Sequence, residues 1–268
     1  MKVYCILSDE RAYRSRSPAM FTTVMQQQGI RGMYVPFKVI PQEIGKALQS
    51  LRILNIAGAN VTVPYKETVI PYLDILSEGA NVIGAINNIV RNGDELKGYN
   101  TNAIGFMDAL DNAGFNPEGK SALIFGTGGA ARAVTFILNW LRTKAIVVTG
   151  RNDAKVQQIV NRFWGEGVPL DALGNDMHAD IVINATSVSA PDEAPEMADL
   201  VTALNIKGCE LVVDLNYNRH QNFWQDMASE KGIQFMDGLL PLAYQARRTF
   251  ALWTGLQVPP EEFIKAVQ

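Results

Sequence analysis

Cysteine and histidine are scarce in this chain of 268 residues, which holds only Cys5, Cys209, His178 and His220. Without a CxxC pair or closely spaced histidines, a zinc centre is not expected, and no other metal site is. Both cysteines lie in apolar runs; buried free thiols are the simplest reading and suit a reducing compartment. There is no excess of positive charge. Lysine and arginine number 24 against 27 acidic residues, a net charge of −3, so no electrostatic footprint for nucleic acid or an anionic membrane is present. No apolar run has the length of a membrane span. Met1 to Leu7 turns polar too soon for a signal peptide. Internal repeats and low-complexity tracts are lacking as well. These absences leave a soluble cytoplasmic protein as the expectation, with an enzyme still open.

What the chain has is alternation. Lys2–Leu7, a short apolar run, Met33–Val39, with its Val, Phe and Tyr content, and Ala59–Val63 are strand-like. Between them, Ser17-Pro18 followed by Met20, Phe21, Val24 and Met25 predicts a helix capped by Ser17, and Pro41–Leu54 predicts another. Strand, helix, strand, helix, strand implies a parallel sheet with crossover helices. Ile86–Val90 and Leu96–Tyr99 flank Asn92-Gly93, a type I′ hairpin signal, and should form an antiparallel edge on that sheet. A helix from about Asn102 to Ala113 ends at Gly114. A second alternating series then sets strands at Ser121–Phe125, Ala145–Thr149, Ile181–Asn184, Glu210–Asp214 and Ile233–Phe235. Leu239–Trp253 is strongly helical, with Leu239, Leu242, Ala243, Ala246, Phe250 and Trp253 on one stripe. The fold class is α/β: an N-terminal α/β domain with a mostly parallel sheet, a Rossmann-type domain, and a cleft between them.

Strand Ser121–Phe125 runs into Gly126-Thr127-Gly128-Gly129-Ala130-Ala131 and then a helix. This is GxGxxA in its proper context. Gly126 permits the tight turn, Gly128 lets backbone approach a pyrophosphate with Gly129 and Ala130 beside it, and Ala131 keeps helix and strand close. After the next strand comes Gly150-Arg151-Asn152-Asp153-Ala154-Lys155, where such domains distinguish their ribose. Arg151 and Lys155, four apart, would hold a 2′-phosphate; Asp153 would instead bond ribose hydroxyls or cap the following helix. The balance favours NADP, with NAD as the alternative.

Asn60-Val61-Thr62-Val63-Pro64-Tyr65-Lys66-Glu67 resembles the signature of the shikimate and quinate dehydrogenase family. Further matches follow along almost the whole chain. They are Ser15-x-Ser17-Pro18, Gly84-Ala85-Ile86-Asn87, Asn100-Thr101, Asn184-Ala185-Thr186-Ser187, Asp214 with Tyr217-Asn218, Gly238-Leu239-Leu240-Pro241-Leu242-x-x-Gln245, and Phe250-x-x-Trp253-Thr254-Gly255. The resemblance implies reversible hydride transfer between the C3 hydroxyl of shikimate, or a quinate-like hydroxy acid, and nicotinamide, within aromatic amino acid biosynthesis. It implies Lys66 as the proton-transferring group. Ser15 and Ser17 would hold the substrate carboxylate, and Thr62, Asn87 and Gln245 the ring hydroxyls. Tyr217 would line the cleft, and Thr186 and Gly238 would lie against the cofactor. Each also has a plainer reading: a solvated lysine, helix-capping serines, an exposed glutamine, a packing tyrosine, a turn glycine. The expected domains are 1–102 with 238–268 for substrate and 103–237 for NAD(P). Partners would be the small hydroxy acid alone, with no nucleic acid and no membrane, in a monomer or homodimer.

One departure bears on catalysis. Most members of the family carry aspartate where this chain has Asn102. An amide is isosteric but cannot balance an ammonium or take a proton, and loss of a charge-assisted bond costs roughly 1–2 kcal/mol, on the order of tenfold in rate. Three explanations stand: a weak or specialised dehydrogenase, a substituted variant of an active enzyme, and a nucleotide- and ligand-binding sensor without turnover. The run Tyr217-Asn218-Arg219-His220-Gln221 departs too, since relatives more often have proline after the asparagine.

Overall fold

A computed structural model describes residues 1–174 and 176–268 of the chain. In chain order the first elements are β1 (Lys2–Ser8), α1 (Ser17–Gln27), β2 (Gly32–Lys38), α2 (Ile44–Ile53), β3 (Gly58–Val61), β4 (Ile75–Leu76), α3 (Glu78–Ile83), β5 (Asn88–Asn92), β6 (Glu95–Tyr99) and α4 (Thr101–Asn112). Next come β7 (Ser121–Phe125), α5 (Gly129–Trp140), β8 (Ala145–Gly150), α6 (Asp153–Phe163), β9 (Glu166–Pro169), β10 (Asp176–His178), β11 (Ile181–Asn184) and α7 (Pro195–Ala203). The chain ends with β12 (Asn205–Lys207), β13 (Leu211–Asp214), α8 (Phe223–Glu230), β14 (Gln234–Asp237), α9 (Leu239–Thr254) and α10 (Pro260–Lys265). It divides into two compact units, Met1–Gly105 with Leu242–Gln268, and Phe106–Pro241.

The first unit holds a six-stranded sheet in the order β2-β1-β3-β5-β6-β4. β1 pairs in parallel with β2 and β3, while β5 runs against both β3 and β6. The hairpin is therefore not the edge that its sequence suggests, because the two-residue β4 pairs outside it. Its loop is Gly93-Asp94, one residue on from the expected turn, with Gly93 at φ +62°. Helix α1 buries Met20, Phe21, Val24 and Met25, and α2 buries Ile44, Leu48 and Leu51, each from one face. The C-terminal half of α9 docks on the same sheet. Trp253 stacks on Tyr4 with ring centroids 4.5 Å apart, and its Nε1 donates to the Ile89 carbonyl at 3.0 Å.

The second unit has six parallel strands in the order β14-β13-β11-β7-β8-β9. Read from β9, this is the doubly wound order 3-2-1-4-5-6, which reverses between β7 and β11. Every residue of β11 and β13 is buried, as strands covered on both faces require. β9 and the small β10–β12 pair are additions to the expected strands. Among the described residues no helix is long and apolar enough to cross a membrane.

Candidate active site

Lys66 sits in a turn, not at a helix start, just beyond β3. Its neighbours explain the placement. Tyr65 and Val69 are buried in the core beneath, and the Tyr65 hydroxyl donates to the Val39 carbonyl, so the turn is pinned on both sides of Lys66. Ser8, at the end of β1, donates to the Val63 carbonyl at 2.6 Å, and the Val63–Pro64 bond is cis. The Lys66 carbonyl accepts from the Ile86 N–H at 2.6 Å, which sets the turn beside Asn87. The residue is half-buried, and among the described residues its amine has no hydrogen-bond or ion-pair partner. Burial without a counter-charge pushes the amine down to about 8.

A hydrogen-bonded cluster lies alongside. Asn87 is only 3% exposed. Its Nδ2 donates to Thr101 Oγ1 at 2.8 Å, Asn102 Oδ1 at 2.9 Å and Gln245 Oε1 at 3.0 Å, and its Oδ1 accepts from the Thr101 N–H at 2.6 Å. Thr101 Oγ1 also lies 3.1 Å from Thr249 Oγ1. Asn100 caps α4 by accepting from the Asn102 and Ala103 N–H groups, which holds Asn102 in the first helical turn. The cluster thus joins the segment before β5, the start of α4 and the middle of α9. Sequence reasoning selects Asn87, Asn102 and Gln245 and misses Thr101 and Thr249. Thr249 stands one helical turn from Gln245 on the same face, a signal that was available.

Ser15 and Ser17 lie together at the entry to α1. Ser15 Oγ accepts from the Ser17 N–H at 3.2 Å, while Ser17 is already helical and buried. The expected cap at Ser17 is corrected: the cap position falls at Arg16, with no side-chain cap bond, and the Ser17 N–H is met by the Ser15 hydroxyl, while among the described residues the Ser17 hydroxyl has no hydrogen-bond partner. Thr62 is half-buried and its carbonyl accepts from the Tyr65 N–H at 2.9 Å. No hydrogen bond joins the serine pair or Thr62 to the Asn87 cluster among the described residues.

In the second unit, Gly126 leaves β7 at φ +119°, and a Cβ there would lie 2.8 Å from the Ala185 carbonyl. Only glycine lets the loop pass so close to the segment carrying Thr186. Around Gly128, by contrast, a Cβ would meet nothing within 4 Å, and α5 starts there with no side-chain cap. Open space over uncapped N–H groups fits a pyrophosphate. Gly129 and Ala130 form the first turn of α5, and buried Ala131 faces the sheet. Arg151 and Lys155 are exposed, with no ion pair among the described residues. Asn152 caps α6 by accepting from the Lys155 N–H at 3.0 Å, so Asp153 is not the cap.

Thr186 is held by Asn184, whose Oδ1 accepts its N–H at 3.0 Å and its hydroxyl at 2.7 Å. Asn184 in turn donates to Asp214 at 2.8 Å. Asp214 is fully buried and also accepts from Ser189, Asn216 and Asn222; burial raises its pKa, opposed by those bonds. This carboxylate ties the loops after β11 and β13 together, a role that its place at the end of an apolar strand did not reveal. Tyr217 is half-buried on the second of those loops. At Gly238 the space for a side chain is filled by the Leu215 carbonyl, 2.3 Å from a Cβ, so the glycine is required by backbone crowding.

Residues 10–89 match the family described as Shikimate dehydrogenase substrate binding domain, and residues 109–233 match Shikimate / quinate 5-dehydrogenase. Among curated relatives, the shikimate dehydrogenase (NADP(+)) of Desulforamulus reducens is 38% identical over 259 residues, covering 91% of this chain and 87% of the relative. Among solved structures, the shikimate dehydrogenase of Aquifex aeolicus superposes with a TM-score of 0.88 at 30% identity, over 100% of this chain and 98% of that one. The shikimate 5-dehydrogenase of Thermus thermophilus, in complex with NADP(H) and shikimate, gives 0.87 at 31% identity over the same shares.

Proposed function

The chain belongs to the shikimate / quinate dehydrogenase family, and from that premise we propose that it is an NADP-dependent oxidoreductase acting on shikimate or a close hydroxy acid, with Lys66 as its acid–base group. When bound, NADP supplies the hydride acceptor for the C3 carbon. The first unit is the substrate domain and the second the nucleotide domain. A neutral Lys66 amine takes the C3 hydroxyl proton as that carbon is oxidised, and the ammonium returns it when the ketone is reduced. A lysine near its ordinary pKa would be charged at neutral pH and useless as a base; at about 8 a usable fraction is neutral.

Ser15 and Ser17 receive the substrate carboxylate at the start of α1. Thr62, Asn87 and Gln245 meet ring hydroxyls, and Asn102 stands beside them as a neutral hydrogen-bonding group. Gly126, Gly128, Gly129 and Ala130 form the pyrophosphate seat, Arg151 and Lys155 take the 2′-phosphate, and Thr186, Tyr217 and Gly238 shape the nicotinamide end. The two free cysteines fit a reducing cytoplasm, and the enzyme acts as a monomer or homodimer. The relatives named above are enzymes, which gives the reading of a sensor without turnover no support.

The observation that carries this reading is the desolvated amine of Lys66, without a partner among the described residues, on the turn that its backbone bond sets beside the Asn87 cluster. Purified protein with shikimate and NADP should build absorbance at the reduced-nicotinamide band. Silence with shikimate and quinate under both NADP and NAD would overturn it.

A further inference from the structure

The hydrogen bonds around Asn87 fix the direction of every amide in the cluster. The Thr101 N–H can only donate, and it reaches Asn87 Oδ1 at 2.6 Å. Asn87 therefore turns its NH₂ toward the rest of the cluster, where two hydrogens serve Thr101 Oγ1, Asn102 Oδ1 and Gln245 Oε1. The Thr101 hydroxyl adds a second donor to Gln245 Oε1 at 3.2 Å. A flip of either Asn102 or Gln245 would set NH₂ against NH₂. Both amide oxygens are thus turned inward and engaged. What remains is Asn102 Nδ2 and Gln245 Nε2. Neither has a partner among the described residues, and neither is sealed from solvent, although Gln245 is only 7% exposed.

We propose that Asn102 makes this corner of the site a donor-only face, which takes substrates presenting oxygen acceptors and rejects analogues carrying an ammonium group in place of a ring hydroxyl. The inference rests on the shikimate-type reading above and narrows its substrate class. A hydroxyl accepts from the Asn102 and Gln245 amides through its lone pairs and keeps its proton for Lys66. A ketone oxygen accepts as well. An ammonium has only N–H groups and meets donors, leaving the amide hydrogens and its own unpaired in a part-buried site. A carboxylate at residue 102 would invert that corner, since it could accept both from Asn87 and from the ammonium.

The test measures kcat/KM for shikimate and for amino analogues in which each ring hydroxyl is replaced in turn, using the native chain, Asn102→Asp and Gln245→Glu. The native chain should prefer the hydroxy acid over the amino analogue matching this corner by about a hundredfold or more. Each carboxylate variant should cut that preference by about tenfold or more. Equal use of hydroxy and amino ligands by the native chain, or a preference that neither variant changes, overturns the inference. If no chain turns over any hydroxy acid, the reading of the reaction fails. Calorimetric affinities for the same ligands then decide the donor-only face by the same ratios. Thermal melts confirm that each variant is folded.

Discussion

Among the described residues the Lys66 amine has no hydrogen-bond or ion-pair partner and desolvation is what lowers its pKa, which makes it sensitive to a single substitution. Lys66→Met keeps the stem's bulk and removes the proposed proton acceptor, so kcat/KM should fall by about 10²–10⁴-fold with a far smaller change in substrate affinity. In the native enzyme the rate of alcohol oxidation should rise with pH through about 8 as the amine deprotonates, and ketone reduction should fall across the same range. A steady-state pH profile in both directions checks this; a flat profile from pH 6 to about 10 would remove Lys66 from the proton step. At this scale the sequence was informative where chemistry has a local signature. Lys66 could be singled out as a candidate because a strand exit and its motif coincide. Thr101 could not be, because nothing local shows that Gln245 on a distant helix would meet Asn87, and Thr249 was readable only through its one-turn spacing to Gln245. Ser17 reads as the cap because Ser-Pro opens many helices, yet the helix begins at Ser17 itself and the oxygen that meets its N–H is that of Ser15.

Elements carry these residues to one another, and α4 with α9 does so by close approach. A Cβ on Gly105 would stand 2.6 Å from the Gln245 backbone nitrogen. Gly105→Ala must therefore push α9 away from α4 at the residue that joins the Asn87 cluster. The expected result is a loss of about 1–3 kcal/mol of stability with a raised KM for the acid, and an unchanged affinity for NADP in the other unit. Urea unfolding and cofactor titration measure the two halves of that statement. β5 offers a test of opposite sign. Asn88 is fully buried there, and neither its Nδ2 nor its Oδ1 has a partner among the described residues. Unbonded buried amides cost about 1–3 kcal/mol each. Asn88→Leu, similar in volume, should stabilise the protein by about 1–2 kcal/mol, read as a higher urea midpoint at constant slope. The long elements were legible in the sequence because their apolar periodicity is strong. β4, β10 and β12 were not, since strands of two or three residues carry no period.

For the whole molecule, the same desolvated amine that is proposed for catalysis also bears on stability. The chain folds as two units whose borders fall inside α4 and α9, between Gly105 and Phe106 and between Pro241 and Leu242. The glycine loop and strand order made the second unit plain; the return of the C-terminal residues to the first depends on contacts such as Trp253 with Tyr4, which spacing does not encode. Lys66 lies in the first unit with its pKa lowered from 10.5 to about 8 on folding. Between those values the unfolded chain holds more protons than the folded one, so this group makes stability rise with pH, and its penalty is greatest below about 8. The cysteines act oppositely. Burial raises both thiols, Cys209 to about 11, so unfolded thiols ionise first and stability falls as pH rises above about 9. The native pH curve mixes the two signs; the difference between native protein and Lys66→Met isolates the lysine. Lys66→Met should be the more stable form at pH 7, and its advantage should shrink steadily as pH rises from about 8 to 10.5. Paired urea titrations at pH 7, 8, 9 and 10 give that difference directly. A gap constant across the series would mean that the amine is well solvated in the native state, and the reason for its depressed pKa would be gone.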